Sequence, residues 1–181
     1  DSNLAPIKPL RAPRGSIAIS AKYDGHEVIS RSVLESLKKD DSELQRFKKR
    51  TAGMGNDQNR VIHGYDIYKQ LCITCHGADL LGTPTAENSL IAPPLIGSPR
   101  VIGDKDVLLR ILINGLIGPV DGKEYGIMMP LGSNDNNWLV DVASYIRTMN
   151  DTTMVNGGDV RKVREQYKDR ETYWTMKELM E

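Results

Sequence analysis

The chain has 181 residues and a mass of 20.2 kDa, a length that suits one domain with extensions. Lys plus Arg and Asp plus Glu number 24 each, so the formal charge is zero; that balance argues against a dedicated nucleic-acid binder, which carries a basic excess, and no apolar run approaches the roughly 18 residues of a membrane span. Hydrophobic residues make up 39%, with one Phe and two cysteines, Cys72 and Cys75, which excludes a disulfide framework and leaves the core short of aromatic mass.

The chain begins at Asp1 with no basic-then-apolar leader, as expected if a targeting segment has been removed or if this is a piece of a longer polypeptide. Residues 1–29 are rich in Pro and Gly and read as an extended arm, with a short strand possible around Ile17 and Ile19. Two short helices are expected over 30–50. The first carries Val33, Leu34 and Leu37; the second has Ser42 as N-cap, Leu44 and Phe47 as apolar contacts and Lys48, Lys49 and Arg50 in its last turn. Residues 53–59 form a loop and a boundary, so 1–58 stand as an N-terminal extension or the remnant of a preceding helical domain.

The texture then changes. Val61 to Leu71 predicts a helix with Gly64, Ile67, Tyr68 and Leu71 on one side. Residues 77–103 are expected to be mostly loop, Asp106 to Asn114 an amphipathic helix stopped by Gly115, and 116–134 loop again. Asp135 to Met149 is the strongest helical pattern, with Trp138, Val142, Tyr145 and Met149 along one face. Beyond Gly157-Gly158, two short helices are expected at 159–168 and 172–180, with Val160, Val163, Tyr167, Trp174 and Leu179 as contacts. The expected class is therefore all-α, with a central domain at 59–150 and a C-terminal helical extension at 151–181.

The chemistry sits in Cys72-Ile73-Thr74-Cys75-His76, a C-x-x-C-H pentapeptide and the attachment signature of c-type haem. At the end of a helix, two thiols three apart reach the two vinyl groups on one porphyrin edge, and the next imidazole falls under the iron. A structural zinc site would need a fourth ligand beside Cys72, Cys75 and His76, from His63, His26 or a carboxylate. A dithiol redox pair would sit in a βαβ pattern that is absent here.

The surroundings favour haem. Ile127-Met128-Met129-Pro130 offers a thioether from a loop between two helices; Met129, stiffened by Pro130, is the preferred sixth ligand and Met128 the runner-up. A proximal histidine needs an acceptor for its other ring nitrogen, and Pro93 in the stiff Ala92-Pro93-Pro94-Leu95 segment supplies the carbonyl, with Leu95 against the porphyrin. Gly64 lets the 135–149 helix approach closely, with Tyr68 and Tyr145 packing beside it. Arg100 is a candidate partner for a haem propionate, and Tyr125 and Trp138 are candidates for the porphyrin edge or the core. His26 and His63 are read as surface histidines rather than sixth ligands. No acid–base pair or nucleophile accompanies the site, so the chain is not expected to be an enzyme on its own.

The order Gly64-x-x-x-Tyr68, Cys72-x-x-Cys75-His76-Gly77, Pro93-x-Leu95, Met129-Pro130 and a helix containing Tyr145 resembles the class I c-type cytochromes over residues 59–150. A narrower resemblance, carried by residues 92–98, 115–120 and 138–147 and by Arg170, Tyr173, Trp174, Glu178 and Leu179, points to the cytochrome c domains of large bacterial secreted dehydrogenases of sugars and alcohols. The resemblance implies one haem c held through Cys72 and Cys75, iron ligated by His76 and Met129, and one-electron transfer. It also implies a dehydrogenase as donor, a respiratory cytochrome or oxidase as acceptor, and a periplasmic or otherwise exported location. Two alternatives follow from the same residues. The chain is then a haem-bearing subunit of a larger assembly that docks through its arms or through the Lys38–Asp41 and Lys48–Arg50 clusters, or, without a Met ligand, a peroxidase or gas sensor.

Overall fold

The computed structural model describes residues 21–23, 26–28, 45, 47–49, 51–87 and 89–181. It divides into two compact units, residues 1–50 and 51–181. In the first, β1 (Ala21–Tyr23) pairs antiparallel with β2 (His26–Val28), with Ala21 opposite Val28 and Tyr23 opposite His26. The expectation of an extended arm passed over Asp24-Gly25, a two-residue hairpin signal in the sequence between these strands. Residues 45 and 47–49 are helical; the expectations on Ile17, Ile19, Val33, Leu34, Leu37, Ser42 and Leu44 lie outside the described residues.

The second unit is helical. Helix α1 (Asp57–Ile67) runs into a single π-helical stretch, Tyr68–Cys72, and then into α2 (Ile73–His76), which stops at Gly77 with φ +74°. After a long loop come α3 (Pro99–Ile102) and α4 (Lys105–Asn114), then α5 (Asn136–Thr148), α6 (Gly157–Gln166) and α7 (Met176–Met180). Most starts have a local cause. Pro99 opens α3 at its first position, where a missing N–H costs nothing. The Asp104 and Asp135 carboxylates accept the backbone N–H groups of Asp106 and Trp138 at 2.9 Å each. Asn156 with Asp159, and Thr175 with Glu178, form reciprocal capping boxes. The last explains why only the end of 172–180 is helical: Thr175 starts α7, and Trp174 before it is extended, its backbone bridged to Leu116.

Helix α5 is the axis of the unit. The sequence pattern assigns it one apolar face, but every residue from Leu139 to Arg147 is buried, while Trp138 and Met149 at its ends are half-buried. The reason is that α1, α3, α4 and α6 all pack against it. Its polar residues are accordingly satisfied. Arg147, 2% exposed, donates to the carbonyls of Val101 (2.5 Å), Gly103 (3.0 Å) and Thr153 (2.6 Å). The buried Ser144 hydroxyl is 3.1 Å from Val155 O and 3.2 Å from Val155 N. Burying such groups without partners would cost several kcal/mol (~1–3 per group).

The α1–α5 crossing is the tightest contact. A Cβ built at Gly64 would overlap the Asp141 carbonyl and lie 2.8 Å from Tyr145 Cβ. Around it, the Tyr68 and Tyr145 rings sit 5.2 Å apart and the Tyr65 and Tyr145 rings 5.6 Å apart, both tilted. Gly64→Ala should therefore lower unfolding stability by about 1–3 kcal/mol, since neither backbone can yield. A chemical-denaturation midpoint equal to that of the parent chain would contradict this close packing.

Candidate functional site

Cys72 and His76 are four residues apart and so share one face of the helical segment; both are buried, at 8% and 9% exposure, whereas Cys75 is exposed. The π-helical stretch ends on Cys72. Such a widened turn rotates the residues that follow it and is frequent at functional sites. Three bonds clamp the turn after His76. Tyr68 Oη donates to Gly77 O at 2.6 Å, Gly82 N to His76 O at 2.9 Å and Thr83 N to Cys75 O at 3.0 Å.

The segment facing His76 is held just as firmly. Leu80, 1% exposed, adopts a left-handed φ of +63°, a conformation that costs a branched side chain about 1–2 kcal/mol. It turns the Leu80 carbonyl toward Leu95 N (2.8 Å) and Ile96 N (3.2 Å). That pairing pins the Pro93-Pro94-Leu95 run, and His76 Nδ1 lies 3.3 Å from Pro93 O, at the long end of hydrogen-bonding range. Burial pulls the His76 pKa below its ordinary value, and the Pro93 carbonyl opposes that only in part. The imidazole is thus neutral near pH 7. With its Nδ1–H directed at Pro93, its Nε2 lone pair is the free donor atom.

One cleft gathers the expected residues. Cys72, Cys75, His76, Pro93, Leu95, Arg100, Tyr125 and Met129 all line it, together with Met128 and the apolar side chains of Leu71, Ile91, Val101, Leu108, Ile111, Leu112, Leu116, Val120, Ile127, Leu131 and Ile146. Its cavity volume is about 240 Å³, just below the ~300–1,000 Å³ of an ordinary small-ligand pocket. Leu71, Ile91, Ile127 and Met129 are half of the eight exposed large apolar side chains among the described residues, and all four border this cleft. A contiguous apolar surface of that kind marks a binding site rather than random exposure.

The polar groups are few. Arg100 is the one cationic side chain in the lining; its Nη1 and Nη2 grip the Asp121 carboxylate at 3.0 and 2.9 Å. That fork holds the Asp121 pKa below its usual value. Tyr125 is half-buried and packs on the cluster formed by Leu116, Val120, Trp174 and Leu179. The two methionines differ. Met128 packs against that cluster, and its backbone N and O bond to Leu116 at 3.0 Å each. Met129 is 59% exposed at the cleft, its sulfur 3.8 Å from the Tyr173 hydroxyl. Trp138 does not line the cleft. His63 bonds the Asp141 carboxylate at 2.7 Å, beside Arg60, and His26 lies in the first unit.

The competing site chemistries find less support. Burial first, and Cys75 second, push the Cys72 thiol up to about 11, so at neutral pH it is a protonated, unreactive thiol rather than half of an active dithiol pair. No three His, Cys, Asp or Glu side chains converge as a metal-ion cage among the described residues, as a zinc site would require. No protein-family model matches the chain, and no curated protein matches it.

Sequence reasoning named Tyr173 only within the resemblance and missed its contact with Met129, and it missed Leu80 altogether. Tyr173 is 44 positions from Met129, and nothing local announces the pairing. Leu80 gives no sign of a left-handed backbone, which Gly or Asn would signal. Leu80→Ala should destabilise the chain by about 2–4 kcal/mol through the cavity it leaves, as read by denaturant titration. A loss below about 0.5 kcal/mol, typical of surface changes, would mean that the Leu80 side chain is not packed in the core.

Proposed function

We propose that the chain is a class I c-type cytochrome that carries one electron at a time. One haem would be held through thioethers to Cys72 and Cys75, with His76 and Met129 as the residues that ligate its iron. The observation that carries the reading is the convergence of eight residues, chosen for one chemistry and spread from position 72 to 129, on a single apolar cleft. The donor set suits haem iron: a neutral, oriented imidazole beside the two cysteines, and a thioether from a separate loop.

When bound, haem iron supplies the chemistry by cycling between its ferric and ferrous states. The chain's residues do the rest. Cys72 and Cys75 fix the position of the macrocycle, and Pro93 holds the His76 tautomer through Nδ1–H. Leu95, Val101, Leu108, Leu112 and Ile146 exclude water, which strengthens every electrostatic interaction in the cleft. Arg100, the one cation in the lining, would offer its guanidinium to an acidic group of the haem, and its bidentate pair with Asp121 keeps that side chain oriented. Tyr125 lines the same cleft.

In this reading the chain works between a periplasmic or otherwise exported dehydrogenase and a respiratory cytochrome or oxidase, as an electron carrier and not a catalyst, as the family resemblance implies. No described helix is long and apolar enough to cross a membrane.

Intact mass of the exported protein should exceed the polypeptide mass by one haem, and the ferric protein should show the long-wavelength charge-transfer band of thioether–iron ligation. A mass equal to the bare chain sinks the reading. Met129→Ala should abolish that band and lower the reduction potential by a few tenths of a volt, within the ~0.8 V that axial ligands span. Met128→Ala should leave the band in place. A band lost in Met128→Ala and kept in Met129→Ala would reassign the ligand.

A further inference from the structure

The loop carrying Met128 and Met129 is tied on one side to Leu116, and Leu116 is tied in turn to the C-terminal segment. Leu116 N donates to Met128 O and Met128 N to Leu116 O, both at 3.0 Å. On the other side of Leu116, Ile117 N donates to Trp174 O at 2.8 Å and Trp174 N to Gly115 O at 3.1 Å. Three short extended pieces thus lie side by side, with Leu116 in the middle, antiparallel to Met128 and parallel to Trp174. Gly115 is required at this junction. Its φ is +78°, and a Cβ there would come within 2.5 Å of Met128 O and 2.7 Å of the Tyr173 ring.

The side chains repeat the connection. Tyr173, next to the bridged Trp174, donates its hydroxyl to Met129 Sδ at 3.8 Å, near the long limit for a sulfur acceptor. The segment itself is locked by Arg170. That guanidinium donates to Thr172 O (3.0 Å), Tyr173 O (2.8 Å) and Glu178 Oε1 (2.8 Å), and its carbon lies 3.5 Å from the Trp174 ring centroid. Trp174 is also met edge-on by Tyr167 at 5.0 Å. A surface tail held by nothing but its own helix would need none of these ties.

We propose that the segment from Arg170 to Leu179 is a strap for the sixth-ligand loop, with Tyr173 a positioning residue for Met129. The inference rests on the reading of Met129 as an iron ligand. The strap holds the thioether at the cleft mouth, where Met129 has little other packing, so that exogenous ligands compete poorly for its place. The Tyr173 hydroxyl also draws electron density from the sulfur and makes it a weaker donor. A weaker donor stabilises the ferric state less, so the hydroxyl raises the reduction potential.

The test uses the full-length, haem-loaded chain as Tyr173→Phe, Arg170→Ala and Met129→Ala. Tyr173→Phe keeps the ring against Gly115 and removes only the hydroxyl. It should leave the thermal midpoint unchanged and shift the ferric/ferrous equilibrium toward ferric by about three- to tenfold, the range of one hydrogen bond. Arg170→Ala loosens the strap and should raise the affinity of the ferric protein for imidazole by about tenfold or more, the scale of a lost charge-assisted hydrogen bond. If Arg170→Ala does not fold, Tyr173→Phe decides alone. A Tyr173→Phe chain that matches the parent in both potential and imidazole affinity overturns the inference. If Met129→Ala meanwhile loses the thioether band, only the strap falls; if Met129→Ala keeps it, the ligand reading falls and takes the strap with it.

Discussion

The close approach of α1 and α5 at Gly64 is the contact on which the rest of the second unit depends. It is a backbone-to-backbone contact, and no side-chain rearrangement can restore it once a methyl group intervenes. Because α1 continues through the π-helical stretch into α2 without a break in the chain, the position of that crossing determines where Cys72 and His76 emerge. Tyr68 couples the two ends of this arrangement. Its ring packs on Tyr145 of α5 while its hydroxyl reaches the Gly77 carbonyl just past His76. A single side chain thereby joins the helix crossing to the turn that ends the motif.

The second constraint is that the core is incomplete without the cleft. Ordinary domains close their apolar faces on each other. Here α3, α4 and α5 do so on one side, through Val101, Leu109, Leu139 and Val142. On the other, Val101, Leu108, Leu112 and Ile146 also front the cleft. With one Phe in 181 residues, the cleft is lined by aliphatic side chains and Tyr125 rather than by a cluster of rings, which supports the proposal that a haem occupies it. Polar groups in the cleft are correspondingly sparse, and the two with directional roles, His76 and Arg100, are each oriented by a partner outside the chemistry, Pro93 and Asp121.

What could be read from the residues alone follows the range of the interaction concerned. Cys72, Cys75 and His76 stand out in the sequence because their spacing matches the proposed attachment chemistry, and Pro93 and Met129 as a proline-stiffened carbonyl and a loop thioether; the structure brings all five to one cleft. Helices α4 and α5 are legible from periodicity, and α4 also from its terminal glycine. The same method has no purchase on Arg147, whose partners Val101 and Gly103 lie more than 40 positions away. Nor could it show that α5 is buried all round, since that depends on how many neighbours assemble about it. The left-handed Leu80 and the π-helical stretch are imposed by tertiary packing against local preference. Such places, where a local rule is broken, tend to sit beside functional groups; both here adjoin the motif.

The C-terminal residues 151–181 change meaning in the light of these contacts. Read as sequence, they form an extension after the last helix of a cytochrome-like pattern. In the structure they belong to the same compact unit, with Val155, Val160, Val163, Trp174 and Leu179 all buried. They also supply hydrogen-bond donors and ion-pair partners to the elements around the cleft. Arg164 donates to Gly132 O and Asn134 O, in the loop between Met129 and α5, and Lys162 and Asp159 pair with Asp106 and Lys105 at the start of α4. Each of these ties falls on a segment that borders the cleft or leads into it. Stability and site geometry are therefore coupled through this part of the chain: loosening the C-terminal residues frees the loop that presents Met129 before it disturbs the α1–α5 crossing that presents His76. His76 and Met129, the two iron donors of the proposed site, rest on separate supports, so that site would open first on the methionine side.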